Sequence, residues 1–127
     1  MPSFEKAHPR SKSKRRKGYT YEEFAAAYFR QHGYTVLERN WQAGHKEIDL
    51  IVRKGDVVAF VEVKSVSTRE YGHPAERIDD KKIEHLTRAV QQYLIDNGIE
   101  GCDLRFDVVT FVGGKLEHYP DAFQAPE

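Results

Sequence analysis

The sequence predicts an α/β domain with a mixed central sheet flanked by helices, and three observations carry that expectation. Two β-branched apolar runs, residues 47–52 and 57–64, are joined by the short connection Arg53-Lys54-Gly55-Asp56, the form of a β-hairpin. Helical periodicity with a start and a stop covers two other stretches, one after Thr20 and one after Asp79 or Asp80. A strand-like run at 104–112 follows the second helix, and a helical crossover allows it to pair parallel with an earlier strand.

In chain order, Thr20-Tyr21-Glu22-Glu23 has the form of a capping box, with Thr20 as N-cap and Glu23 three residues on. Phe24, Ala25, Ala27, Tyr28 and Phe29 follow at helical spacing, and His32-Gly33 supplies the stop. Residues 34–40 form the first strand of the sheet, leading through Trp41 into a turn over Gln42-Ala43-Gly44-His45. With the hairpin that comes next, this makes an antiparallel meander of three strands. Residues 65–77 lack a period and read as a loop. A long amphipathic helix then runs to about Asn97, with Ile83, Leu86, Val90, Tyr93 and Leu94 on its apolar stripe. After strand 104–112, Gly113-Gly114 turns the chain into a short strand over 115–119, and 120–127 is expected to tail off.

The chemistry is expected on the hairpin. Strand alternation puts Glu47, Asp49 and Ile51 on one face of the first strand and Phe60, Glu62 and Lys64 on one face of the second. Asp49, Glu62 and Lys64 thus interrupt apolar strands with charge, which is rarely buried unless paired or bound to something. Two carboxylates on neighbouring strands suit Mg²⁺ or Mn²⁺, hard cations that keep several waters and take phosphate oxygens as further ligands. A lysine two residues after the second acid could position or deprotonate an attacking water, or stabilise charge building on a phosphoryl group. The alternative is an ion pair between Glu62 and Lys64 on a solvent-facing sheet. Glu22 in the first helical turn is explained equally by the helix dipole. Asp107, a further acid on the strand at 104–112, is left outside the catalytic set.

At 127 residues the chain fits one domain with one core, expected over 18–127 behind a basic, flexible tail at 1–17. Formal net charge is zero, yet residues 1–18 carry +6 and the rest −6. Such a tail could bind nucleic-acid phosphates in a salt-dependent way or simply solubilise the chain. No apolar run approaches the ~20 residues that span a bilayer, and no secretory signal is visible. A single cysteine, Cys102, excludes an internal disulfide; with these features it points to a soluble protein of the cytoplasm, without membrane partners.

Taken together, Glu22 with Ala25 and Tyr28, Gly33-Tyr34, Asn40-Trp41, Glu47-Ile48-Asp49-Leu50-Ile51, Phe60-Val61-Glu62-Val63-Lys64, Lys82, Leu86, Ala89, Tyr93-Leu94, Arg105-Phe106-Asp107-Val108-Val109 and Ala122-Phe123 resemble the YraN-like family of bacterial endonuclease-like proteins. The resemblance covers about 18–123 and lies in the order and spacing of the motifs, no one of which would carry it. It implies a restriction-endonuclease-like αβββαβ core of the PD-(D/E)xK type, related to archaeal Holliday-junction resolvases. By the same resemblance Asp49, Glu62 and Lys64 fill the motif, Glu22 adds an acid from the first helix, and the main-chain carbonyl of Val63 can join Asp49, Glu62 and Glu22 around the metal. Three positions depart from the family pattern: Tyr21 and Lys46 stand where glycine is common, and Val66 where an arginine often follows the motif lysine. Lys46 could partly replace the lost charge.

The expected function is therefore Mg²⁺- or Mn²⁺-dependent hydrolysis of DNA phosphodiesters in branched or structured DNA. Lys46, Arg69, Arg77 and Lys82 are the expected nucleic-acid contacts, and a homodimer would suit the cutting of two strands. The rivals are a nuclease-fold module that binds nucleic acid without cutting, and an interaction domain in DNA processing.

Overall fold

A computed structural model describes residues 15–16, 19–66 and 80–123. The basic tail apart from Arg15 and Arg16, the segment carrying Arg69 and Arg77, and the last four residues lie outside the described residues. A two-residue strand, β1 (Arg15–Arg16), pairs antiparallel with β2 (Tyr19–Thr20), which leads into helix α1 (Tyr21–Gln31). The main sheet follows as β3 (Thr35–Ala43), β4 (Lys46–Lys54) and β5 (Val57–Val66), then helix α2 (Asp80–Asn97), then β6 (Asp103–Val112) and β7 (Lys115–Phe123). Its spatial order is β3-β4-β5-β6-β7, antiparallel throughout except for the parallel pair β5–β6 joined through α2. This is the αβββαβ order expected from the sequence, and the mixed sheet with a helix on each face is consistent with a restriction-endonuclease-like core.

α1 begins where its chemistry dictates. Thr20 Oγ1 accepts the Glu23 N–H at 3.1 Å and Glu23 Oε1 accepts the Thr20 N–H at 3.2 Å, satisfying two N–H groups that a helix start leaves over. The helix ends at a His32 cap followed by Gly33 at φ 87°, a left-handed conformation that glycine adopts without a Cβ clash. Its buried face is Glu22, Ala25, Ala26 and Phe29, with Glu23 beside it. Ala27, expected inside, is exposed, because a stripe at 22, 25, 26 and 29 leaves position 27 on the far side of the helix.

Each sheet face has its own core. Ala25, Ala26 and Phe29 of α1 pack with Leu50, Val52, Ala59, Val61, Val63, Val109 and Phe111. On the other face Leu86, Ala89, Val90 and Tyr93 of α2 pack with Ile48, Ile51, Val58, Phe60 and Phe106. Burying these apolar side chains stabilises by about 25 cal/mol per Å² removed from water, the main contribution holding both helices on the sheet.

Two elements run longer than the sequence suggested. β3 continues through Trp41 to Ala43, where a turn was expected at Gln42, and Trp41 is held there edge-on to Tyr93 at 5.3 Å. β7 continues through Pro120 to Phe123, where a tail was expected. An edge strand tolerates proline because its outer N–H has no ladder partner, and Phe123 stacks on Phe106 at 4.8 Å.

Candidate active site

The ladder between β4 and β5 stops at Leu50↔Val61, one step short of Asp49 and Glu62. At that step the alternation of β4 also breaks. Leu50 and Val52 face α1 and Ile51 faces α2, but Ile48, which strict alternation would place with Leu50, packs with Ile51 on the α2 side. The neighbouring strand matches the irregularity: Arg39 pairs with Leu50 and Trp41 with Ile48, while Asn40 between them takes φ 53°, a conformation asparagine tolerates better than most residues. The expected sharing of one face by Glu47, Asp49 and Ile51 is thus corrected, since the face count slips at Asp49.

The Asp49 carboxylate goes into the space the ladder vacates. Asp49 is fully buried, and its Oδ2 accepts the Val63 N–H at 2.8 Å. Val63 lies between Glu62 and Lys64, so Asp49 meets the backbone at the centre of the Glu62–Lys64 pair. Because the N–H and C=O of a strand residue point to the same neighbouring strand, the Val63 carbonyl faces this gap as well.

Glu62 stands on the α2 side, since Phe60 and Val58 do, and is 5% exposed. Its Oε2 lies 3.2 Å from Lys82 Nζ of α2. Among the described residues the cation beside Glu62 is thus Lys82 and not Lys64, and Lys82, expected to face nucleic acid, reaches into the sheet. Lys82 lies four residues before Leu86 on the stripe that continues to Ala89, Val90 and Tyr93, a signal the sequence held and that its polar side chain masked.

Lys64 is half-buried and pairs in register with Thr110 of β6. Thr110 is fully buried and its Oγ1 has no hydrogen-bond partner among the described residues, which costs free energy unless something docks there. Sequence reasoning missed this hydroxyl. An isolated threonine in a β-branched run carries no signal until the register sets it beside Lys64.

Glu22 comes to the same end of the sheet from the opposite face. The Tyr21 ring lies 4.4 Å from that of Phe111, and Phe111 is in register with Ser65, the residue after Lys64. Glu22 itself is 2% exposed at the head of the α1 stripe. Tyr21 therefore braces this helix start against β6.

The residues present fit a divalent ion in part. Asp49 and Glu62 supply hard oxygens, Glu62 already attracts a cation, and one or two carboxylates suffice for an ion that keeps its waters. Among the described residues no three His, Cys, Asp or Glu converge to hold a metal on side chains alone. The Val63 carbonyl and solvent would complete the set.

A second polar cluster sits on the α1 side of β6, around Asp107. Its Oδ1 accepts Arg105 Nε at 2.8 Å and the Asp121 N–H at 3.0 Å, while its Oδ2 accepts Arg105 Nη2 at 2.8 Å and lies 2.7 Å from His118 Nε2. Tyr34 OH accepts from Arg105 Nη2 at 2.8 Å, and Tyr28 OH lies 3.0 Å from His118 Nδ1. Burial pushes the Asp107 carboxyl upward, but His118, Arg105 and the Asp121 N–H outweigh it and hold its pKa below the ordinary value. With every lone pair engaged, Asp107 ties α1, β6 and β7 together and has no capacity left for a ligand.

Lys46 lines an open cleft of about 670 Å³ between the β3–β4 turn and α2, with Trp41, Gln42, Arg88 and Gln92. No described helix is long and apolar enough to cross a membrane.

Comparison with known proteins places these residues in a family context. A family described as Uncharacterised protein family UPF0102 matches residues 21–111, the stretch from α1 through Phe111. A UPF0102 protein of Chloroherpeton thalassium is 45% identical over 105 residues, covering 83% of this chain and 80% of that protein. UPF0102 proteins of Chlorobium phaeobacteroides and Persephonella marina are each 37% identical, covering 82% and 84% of this chain and 90% and 92% of their own lengths.

Proposed function

This chain belongs to Uncharacterised protein family UPF0102, the YraN-like family its motifs resemble, and on that premise we propose that it is a Mg²⁺- or Mn²⁺-dependent endonuclease acting on branched or structured DNA. The observation that carries the reading is the buried Asp49 carboxylate seated on the Val63 N–H, between Glu62 and Lys64. A strand that gives up its ladder to bring a carboxylate there has a use for it, because a buried charge costs several kcal/mol unless it is compensated.

Asp49, Glu62 and the Val63 carbonyl would hold the ion, which when bound supplies Lewis acidity to a phosphoryl oxygen and to water. Among the described residues Lys64 has no ion-pair or hydrogen-bond partner, and it keeps contact with solvent, so its ammonium is available to position an attacking water or to stabilise charge on the phosphoryl group. Glu22, at the same end of the sheet, orients water from the α1 side. Lys46 and Arg88, with the amides of Gln42 and Gln92, offer the cleft as a contact surface for backbone and base edges.

The test is divalent-dependent nicking of four-way-junction, single-stranded and duplex DNA by the wild type, with Asp49→Ala and Lys64→Ala as controls. Cleavage of the junction by the wild type alone is expected. Failure to cut any substrate at high protein concentration with either metal sinks the proposal. A second reading, a module that binds DNA without cutting it, is favoured by the Lys82 ammonium already at Glu62. It requires salt-sensitive DNA binding that needs no metal and survives Asp49→Ala.

A further inference from the structure

Both helices carry a charged residue at the head of their buried stripe, Glu22 on α1 and Lys82 on α2. For Lys82 the geometry is explicit. Its side chain is 40% exposed while that of Glu62, 3.2 Å away, is 5% exposed. One end of the pair thus sits where water is scarce and attraction is poorly screened, and the other sits at the solvent boundary. The lysine stem is flexible and its ammonium is a compact, strongly hydrated point charge, the closest a side chain comes to a hard cation.

We propose that Lys82 is a resident counter-cation of the candidate metal site. Its ammonium occupies Glu62 in the metal-free protein, competes with a divalent cation for that carboxylate, and on displacement turns to a phosphate oxygen of the nucleic acid. The inference rests on Glu62 being a metal ligand. It makes metal and DNA binding cooperative, because each ion bound frees one positive charge for the substrate.

Calorimetric titration of the full chain with Mn²⁺ alone tests the competition. Lys82→Met should bind Mn²⁺ about three- to tenfold more tightly than wild type, the range expected when a half-exposed competing ion pair is removed. Lys82→Arg, which keeps the charge, should bind no more tightly than wild type, and Glu62→Gln should lose most of the affinity. Lys82→Gln keeps a hydrogen-bond donor toward Glu62 without the charge and should shift in the same direction as Lys82→Met; it serves if the methionine variant does not fold. In fluorescence anisotropy, the gain in junction-DNA affinity on adding metal should shrink about three- to tenfold in the neutral variants.

Unchanged or weaker Mn²⁺ binding in both neutral variants, with Glu62→Gln still losing it, overturns the inference and leaves the metal reading standing. Mn²⁺ binding that ignores Glu62→Gln and Asp49→Asn removes the metal reading itself, and the inference with it.

Discussion

Asp107 gives the sharpest test of how the structure is held. Each carboxylate oxygen serves two donors, so an amide in its place loses two acceptor contacts whichever way it is turned. His118 can soften this: by moving its proton to Nδ1 it can donate to Tyr28 OH and let Nε2 accept from the new amide. Arg105 cannot, because a guanidinium has no acceptor, and its side chain is 23% exposed and so only partly rehydrated. Breaking a buried pair by removing one partner costs about 3–5 kcal/mol, and partial exposure of Arg105 reduces this. Asp107→Asn should therefore cost about 2 kcal/mol and Asp107→Ala about 3 kcal/mol, a large share of the ~5–15 kcal/mol typical of a domain. Urea melts followed by circular dichroism at pH 7 measure both. Because the folded pKa of Asp107 lies below the unfolded value of about 3.9, the unfolded chain binds more protons between the two, and stability there rises with pH. The gap between wild type and Asp107→Asn should be full above about pH 5 and close as pH falls through the folded pKa. Variants within about 0.5 kcal/mol of wild type at pH 7, or a gap that widens in acid, would refute the reasoning.

Three further outcomes follow from the same geometry. Thr110→Val removes a buried hydroxyl that has no partner among the described residues and should raise stability by about 1 kcal/mol, a shift of about 3–5 °C by calorimetry; a fall of that size would mean the hydroxyl is satisfied in solution. Asp49→Asn can keep the Val63 hydrogen bond through its amide oxygen, so it should fold with a melting temperature within a few degrees of wild type while losing divalent-dependent nicking; nicking at the wild-type rate would remove Asp49 from the site. Thr20→Ala removes the hydroxyl that accepts the Glu23 N–H while leaving the residue-20 N–H to Glu23 Oε1, and should cost about 1 kcal/mol, readable as a lower urea midpoint with unchanged slope.

Periodicity was enough to locate nearly every element, because caps and β-branched runs act locally. The lengths of β3 and β7 were not legible, since what extends them is the contact of Trp41 with Tyr93 and of Phe106 with Phe123, partners distant in sequence. The same limit governs the site. Asp49, Glu62 and Lys64 stand out as charges in apolar strands, but a pattern of period two cannot reveal that the count slips at Asp49. Lys82 was legible in principle, as the fourth residue before Leu86, yet a lysine near a helix start is ordinarily a solvated one. The role of Asp107 as a tie between elements was not legible, because it rests on His118 and the Asp121 N–H, which no local pattern supplies.

The slip at Asp49 has a physical rationale that joins fold to chemistry. Continued one step, the β4–β5 register would set Asp49 directly opposite Glu62, and like charges opposite one another destabilise a sheet. Ending the ladder instead turns Asp49 to a main-chain N–H, while α2 delivers the Lys82 ammonium to Glu62. Each carboxylate is thereby compensated by a different group, and the two remain on either side of Val63. If the Lys82 ammonium is what compensates the buried Glu62 charge, then neutralising that acid should relax the need for its partner. Lys82→Met should cost markedly less stability in a Glu62→Gln background than in wild type, with a coupling of about 1 kcal/mol or more in a double-mutant cycle. A coupling near zero would mean that the Lys82 contact contributes nothing to holding the acid in place, and that Glu62 is kept there by the sheet alone.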